Sequence, residues 1–198
     1  MFSFQRPTAT QVQTRIAAAF GLPTTGTALL TVEAGLTGPL PFLFAHDVSV
    51  TTIGHGEKAF FDARHAFERW AMFNLGWAFV ANPEGRIVTG QLVAVQAQTM
   101  ALWTINVSRI VEVVDEPHRF GFVYATTDLH VEEGEERFLL ELDPTAGDVV
   151  YKLEAVSRPR HILARLGLPM TRLFQHRFAR DSHRQMVDAV RQADTLEA

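Results

Sequence analysis

The stretch that decides the fold runs from residue 135 to residue 156 and reads EERFLLELDPTAGDVVYKLEAV. Apolar residues stand at every second position, at 138, 140 and 142 in the first half and at 149, 151, 153 and 155 in the second, which is the period of a β-strand with one buried face. Residues 144–147, between the halves, have the composition of a tight turn. The sequence therefore predicts a β-hairpin that pairs Asp143 with Asp148.

This predicted hairpin also determines which side chains share a face, because side chains alternate along a strand. The predicted pairs are Leu140 with Tyr151 and Phe138 with Leu153 on the inner face, and Arg137 with Glu154 on the outer face. An exposed ion pair of the last kind stabilises a sheet by at most about 1 kcal/mol.

Outward from the hairpin, the spacing of apolar residues predicts further strands and helices. The additional strands are expected at residues 48–53, 77–80, 88–98, 102–114 and 120–126. Helices are expected at residues 11–20 and 57–73, in a short helix opened by Ser157, Arg158 and Pro159, and from about residue 169 to residue 192. Consecutive strands with short connections favour an antiparallel meander.

The order of these elements predicts an α+β helix-grip fold, in which a curved antiparallel sheet wraps around a long C-terminal helix. A curved sheet must cover its apolar face, and the final helix is the only predicted element long enough to do so. We expect Leu173, Phe174 and Phe178 to lie against the concave face. The chain, 1–198, is predicted to be one domain, with a helix and loop extension over residues 1–46 and a core over residues 47–192.

Composition narrows the class of protein. The 198 residues are 47% hydrophobic and 20% charged, which is typical of a globular domain. No cysteine is present, so disulfide and thiol chemistry are excluded and a reducing cytoplasm is the expected location. The sequence predicts neither a secretory signal nor a transmembrane segment. A net charge of −4 argues against nucleic acid as a partner.

Four sequence motifs indicate that the chain is related to a protein family. They read RFGFVY at residues 119–124, GEERF at 134–138, SRPRH at 157–161 and QHRFA at 175–179. With GHG at 54–56 and SRIV at 108–111, they resemble an uncharacterised bacterial and plant family known only as a domain of unknown function, over roughly residues 47–186. That family is similar to the START and birch-allergen-like helix-grip (SRPBCC) superfamily. The resemblance implies a hydrophobic cavity under the C-terminal helix and carries over no catalytic residue, and we expect no cofactor.

Two opposite charges, Arg109 and Glu136, fall on otherwise apolar strand faces. A lone buried charge is costly, so each needs a partner. One interpretation is an internal Arg109–Glu136 ion pair that only stabilises the fold; the other makes this pair, with Tyr124, the polar end of a cavity. A third interpretation is a β-bulge that turns Arg109 or Glu136 toward solvent. On either ion-pair interpretation, Glu136→Gln would leave Arg109 unpaired and cost about 3–5 kcal/mol.

The candidate ligand-binding residues are therefore Arg109, Tyr124, Glu136, Tyr151 and Phe174. His130 and Glu132 could ligate a metal together, but spacing provides no third ligand, so we expect an acidic surface loop and no metal. Gly54 to Gly56 is interpreted as a strand-to-helix turn rather than an anion site.

Three functions are compatible with these residues. The leading hypothesis is a binding or carrier protein for a small apolar or amphipathic molecule. The first alternative is an enzyme acting on a small hydrophobic substrate, with Glu136 as general acid/base and Tyr124 or Arg109 stabilising charge. The second is an interaction module that uses the arginine-rich face of the C-terminal helix. A filled interior would favour the interaction module, whereas an open cavity would favour the other two.

Overall fold

An eight-stranded antiparallel sheet forms the centre of the fold in the computed structural model, which describes residues 2–83, 85–160 and 168–196. Seven of its strands follow one another in the order β4-β10-β9-β8-β7-β6-β5, and β1 pairs with β7. The strands are β1 (Phe2–Ser3), β4 (Ala45–His55), β5 (Ala78–Val80), β6 (Leu92–Thr99), β7 (Leu102–Glu116), β8 (Arg119–Thr126), β9 (Glu132–Leu142) and β10 (Asp148–Pro159). A separate two-stranded ribbon joins β2 (Leu30–Thr31) and β3 (Gly35–Leu36).

Three α-helices accompany the sheet in the described part of the chain: α1 (Ala9–Ala19), α2 (Gly56–Glu68) and α3 (Leu168–Leu196). Thr8 begins α1 through a capping box with Gln11, because each side chain bonds the backbone N–H of the other residue. The predicted helix over residues 57–73 ends early, since Trp70 adopts a left-handed conformation and a short 3-10 helix, Ala71–Phe73, follows. None of the described helices combines the length and the apolar composition that crossing a bilayer requires.

The predicted hairpin register is confirmed. The backbone N–H of Asp143 donates to the carbonyl of Asp148 over 2.9 Å. The cross-strand partners are Leu140 with Tyr151, Phe138 with Leu153 and Arg137 with Glu154, as predicted. The prediction that the last pair is exposed is wrong, however, because Arg137 and Glu154 are only 8% and 5% accessible.

The segment between α1 and β4 buries that pair by covering the convex face of the sheet. Leu30 and Val32 lie in a buried cluster with the sheet residues Val123, Leu139 and Val156. Three sheet carboxylates receive backbone N–H groups from this segment. Glu112 accepts from Val32, Glu135 accepts from Ala28, Leu29 and Leu30, and Glu154 accepts from Leu36.

A β-bulge in β7 corrects the predicted position of Arg109. The register of β7 against β8 shifts between Ile110 and Glu112, so the residues on either side of the shift change faces. Ile110 lies opposite Tyr124 and faces the concave side, whereas Arg109 faces the convex side. Its guanidinium donates to the carbonyls of Ala19, Phe20 and Leu22, at the C-terminal end of α1. The predicted Arg109–Glu136 ion pair does not form.

The C-terminal helix covers the concave face, as predicted, and the helix-grip fold class is confirmed. Met186 and Val190 are buried in the main core, and Phe178 packs against Phe73 and Phe138. The prediction is wrong for Leu173, which is 59% exposed and so is not covered by the sheet.

Ser157, Arg158 and Pro159 do not open a helix. They extend β10, where Ser157 pairs with Gly134 and Pro159 pairs with Glu132. Proline is tolerated at this position because β10 pairs with β4 only as far as Ser157, which leaves Pro159 with a strand neighbour on one side, as in an edge strand. The remainder of the predicted short helix, residues 161–167, lies outside the described residues.

Two motif glycines allow the strands of the curved sheet to approach closely. A Cβ atom at Gly121 would clash with the carbonyl oxygen of Phe138, and one at Gly134 would clash with that of Val156. Gly134 also has a positive φ of 156°, which L side chains rarely adopt. The backbone of the sheet therefore requires glycine at both positions.

Candidate functional site

A cavity of about 860 Å³ lies between the concave face of the sheet and α3. This volume falls within the usual range for small-molecule sites. Its described apolar lining includes Phe73, Trp77, Leu102, Leu153, Phe174 and Phe178. Its described polar lining includes Asn106, Tyr124, Glu136, Ser157, Gln175 and His183. A mostly apolar wall with a few polar groups suits an amphipathic molecule.

Tyr124 and Glu136 form the central polar pair of this wall. They are direct cross-strand partners on β8 and β9, so their side chains project from the same face. The Tyr124 hydroxyl donates a hydrogen bond of 2.5 Å to Oε2 of Glu136. The alternation of Phe120, Phe122 and Tyr124 along β8 directs all three rings to the concave side.

Burial governs the electrostatics of this pair. Loss of hydration raises the pKa of the Glu136 carboxyl from 4.5 to about 7; the Tyr124 hydrogen bond opposes the rise, and the negative charge of Glu132 adds to it. The pKa of Tyr124 lies well above its ordinary 10, first because of burial and then because of the adjacent Glu136. Near neutral pH, Glu136 is therefore divided between its acid and its carboxylate form, and Tyr124 keeps its proton.

We expect Glu136→Gln to stabilise the folded chain at pH 8, contrary to the ion-pair interpretation. The folded-state pKa is raised above the unfolded one, so the folded state holds the proton more tightly and stability falls as pH rises from about 4.5 to about 7. The full effect is up to about 3 kcal/mol. Urea unfolding of both proteins from pH 4.5 to pH 8 measures it. A stability difference that does not change with pH would contradict the buried position of Glu136.

The structure brings together three of the five predicted ligand-binding residues. Tyr124, Glu136 and Phe174 line the cavity. Arg109 lies on the opposite face of the sheet, as described above. Tyr151 is fully buried beside Phe67, with its hydroxyl 2.9 Å from Ser182 Oγ, so it supports the wall from behind instead of facing a ligand.

Sequence reasoning missed His183 and Gln175 on α3. His183 is only 6% exposed, and neither ring nitrogen has a hydrogen-bond partner among the described residues. Burial lowers its pKa, so the ring is neutral near pH 7. Gln175 donates to Ser157 and to Glu132, while its Oε1 has no partner among those residues. Gln175 and His183 share one side of the helix with Ala179 and Val187, because these residues are four positions apart. That spacing is the signal that could have identified them.

The expectation that His130 and Glu132 form an acidic surface loop is wrong. Both line the cavity, and Nδ1 of His130 accepts the backbone N–H of Glu132 over 3.0 Å. Burial lowers the pKa of His130 to about 4, so this ring also stays neutral. Within residues 2–83, 85–160 and 168–196, no three histidine, aspartate or glutamate side chains come together in a geometry that could hold a metal ion.

The sequence is similar to curated proteins of unknown function. A UPF0548 protein of Dictyostelium discoideum is 34% identical over 149 residues, which is 70% of this chain and 69% of that protein. A UPF0548 protein of Arabidopsis thaliana is 32% identical over 136 residues, 66% of this chain and 65% of that protein. One from Deinococcus radiodurans is 33% identical over 150 residues, 69% of this chain and 74% of that protein. The chain thus spans about two thirds to three quarters of these relatives.

Two solved structures share the fold at low sequence identity. The protein TTHA0849 from Thermus thermophilus superposes with a TM-score of 0.51 at 10% identity, over 76% of this chain and 98% of that one. The di-domain ARO/CYC StfQ from the steffimycin biosynthetic pathway gives 0.51 at 10% identity, over 77% of this chain and 52% of that one. At such identities the likeness shows the fold alone.

The family profile described as "Domain of unknown function (DUF1990)" matches residues 30–185. The match begins before residue 47, so it includes the β2–β3 ribbon that covers the convex face, which the predicted boundary had placed outside the core. The motifs that suggested an uncharacterised family are confirmed: the chain belongs to the DUF1990 family.

Proposed function

We propose that the chain binds and carries a small apolar or amphipathic molecule in the cavity between the sheet and α3. The observation that supports this proposal is the cavity itself, at about 860 Å³ and with aromatic walls. A core that serves only stability packs to the density of an organic crystal, so a void of this size is costly unless something occupies it. A cysteine-free chain suits a reducing compartment, which makes the cytoplasm the proposed location.

Catalysis is the second candidate function, and the raised pKa of Glu136 favours it. A carboxyl with a pKa of about 7 in an apolar pocket is suited to transfer a proton at neutral pH. Tyr124 would then stabilise the charge that develops beside it. Arg109 takes no part, because its guanidinium binds the end of α1. A carrier releases its ligand chemically unchanged, whereas an enzyme converts it and loses turnover in Glu136→Gln.

The interaction-module alternative has less support. The interior contains an open cavity, which favours a carrier or an enzyme over an interaction module. Two of the arginines on α3, Arg177 and Arg180, also have a carboxylate partner, because both bond Asp181. Arg177 additionally stacks over the ring of Trp77, so this part of the helix face is internally paired.

The test of the carrier proposal combines native mass spectrometry with a dye. The purified protein should carry a small molecule, and after its removal should bind N-phenyl-1-naphthylamine, a neutral apolar fluorophore. Ala155 lines the cavity beside Glu136, as its cross-strand partner on β10, so Ala155→Trp should weaken dye binding by about tenfold or more, which is about 1.4 kcal/mol.

Ala18→Trp is the matched control, because Ala18 is exposed on α1, outside the cavity. This variant should bind the dye as the wild type does. Equal dye affinity in the wild type and in a folded Ala155→Trp variant, together with no co-purified molecule, would contradict the proposal.

A further inference from the structure

We propose that the cavity selects an amphipathic amine, whose ammonium group is held by Glu136, over a carboxylate of the same size. This inference rests on the proposed carrier function and deepens it. It follows from the charges and the hydrogen-bonding capacity of the cavity wall.

The wall is acidic among the described residues. Its ionisable side chains include three carboxyl groups, from Asp47, Glu132 and Glu136, but no lysine and a single guanidinium, that of Arg180, whereas the carboxylate of Glu135 is bound on the convex face. Arg180 is exposed and bonds the carboxylate of Asp181 on its own helix. Glu136, in the interior, has the neutral Tyr124 hydroxyl as its hydrogen-bond partner and no basic partner among the described residues. A buried carboxylate without a counterion attracts a cation.

The wall also has an excess of hydrogen-bond acceptors. Oδ1 of Asn106 and Oε1 of Gln175 are buried and have no hydrogen-bond partner among the described residues. Both residues line the cavity, and buried polar atoms in native proteins are normally paired. A molecule that carries N–H or O–H groups would complete these bonds, whereas one that presents only acceptors would leave them unmade.

An alkylammonium group meets both conditions, because it is a cation with three N–H donors. A hydroxyl group meets one of them, since it donates one hydrogen bond but carries no charge. A carboxylate meets neither and would place a second negative charge beside Glu136. The structure therefore predicts the order of affinity amine, alcohol, carboxylate for molecules with the same apolar tail.

The ammonium contact requires the ionised form of Glu136. The titratable residues that line the cavity around this carboxyl include Asp47, Tyr124, His130, Glu132, His176, Arg180 and His183, and Tyr151 lies just behind the wall. Burial keeps both tyrosines protonated and lowers the pKa of His130 and His183, whereas it raises the pKa of Glu136 to about 7, so Glu136 changes charge near neutral pH. Amine affinity should therefore rise about tenfold from pH 6 to pH 8, in proportion to the ionised fraction of a carboxyl with a pKa of about 7.

Displacement of N-phenyl-1-naphthylamine by decylamine, decanol and decanoate tests the inference. At pH 8 the wild type should bind decylamine at least about tenfold more tightly than decanoate, with decanol between them. Glu136→Gln should lower decylamine affinity by about tenfold and change decanol affinity by less than about threefold. Glu133→Gln is the control, because Glu133 pairs with Arg158 away from the cavity, and it should keep the amine preference.

Each result bears on one claim. If neither the dye nor any of the three compounds binds, the carrier proposal itself fails. If decanoate or decanol binds as tightly as decylamine to the wild type, the amine inference is overturned while the carrier proposal stands. If a folded Glu136→Gln variant keeps full decylamine affinity, Glu136 is not the group that holds the ammonium, and the inference is also overturned.

Discussion

A chain that ends at residue 167 is expected to show no cooperative unfolding transition. Without α3, the concave face loses Phe178, Met186 and Val190, and the rings of Phe73 and Phe138 face water. Exposure of three large side chains costs on the order of 5 kcal/mol, a large share of the stability of a domain. The hydrogen bond between Tyr151 and Ser182 is lost as well.

Circular dichroism during heating measures this effect. A chain that ends at residue 192 is the control, because it keeps Ser182, His183, Met186 and Val190, the buried side chains described for α3, and should melt close to the full chain. A cooperative melt of the 167-residue chain near the full-length melting temperature would show that α3 does not hold the sheet together.

The buried ion pair beneath the β2–β3 ribbon is the second site with a large expected effect. Arg137 lies 2.8 Å from Glu154, and donates through its other terminal nitrogen to the carbonyl of Val32. The same Glu154 carboxylate contacts His46 and the backbone N–H of Leu36. Glu154→Gln should therefore destabilise the fold by about 3–5 kcal/mol, because it leaves the Arg137 charge buried and uncompensated.

Chemical denaturation of three variants measures this cost. Glu141→Gln on β9 is the matched control, since Glu141 pairs with Arg119 and Lys152 near the surface, and it should cost about 1 kcal/mol or less. Arg137→Met combined with Glu154→Gln should recover part of the loss, because it removes the unpaired charge. If Glu154→Gln costs no more than Glu141→Gln, the ribbon does not seal the pair from solvent.

The register of the β9–β10 hairpin was predictable because local chemistry specifies it. A four-residue turn and an apolar residue at every second position on both sides favour one pairing, since a slip by one residue would turn Phe138 and Leu140 to the other face. The same alternation put Tyr124 and Glu136 on the concave face, so the polar centre of the cavity was accessible to sequence reasoning.

The position of Arg109 was not predictable in this way. Apolar alternation marks the buried face of a strand only where the other face is exposed, and β7 is covered on both sides. Ile105 and Val107 pack under α1 with Val12 and Ala19, while Ile110 belongs to the main core. The bulge after Ile110 then exchanges the two faces within one continuous apolar run.

The segment that covers the convex face of the sheet could not be predicted from the sequence for a different reason. The segment before β4 has no apolar period, and its backbone is bound by carboxylates 80 to 118 residues further along the chain. Such contacts leave no local signal, so Glu135 and Glu154 resembled surface charges. The polar cavity residues of α3 were missed because His183 and Gln175 interrupt an apolar stripe, and a polar interruption is usually exposed.

A crystal structure of the protein grown with N-phenyl-1-naphthylamine tests the central claim most directly. We expect dye density between the sheet and α3, in contact with Tyr124, Phe174 and Phe178, with the Tyr124–Glu136 hydrogen bond at one edge. Dye found only on the outer surface, with side chains of α3 and the sheet closed together over the space of the cavity, would contradict it.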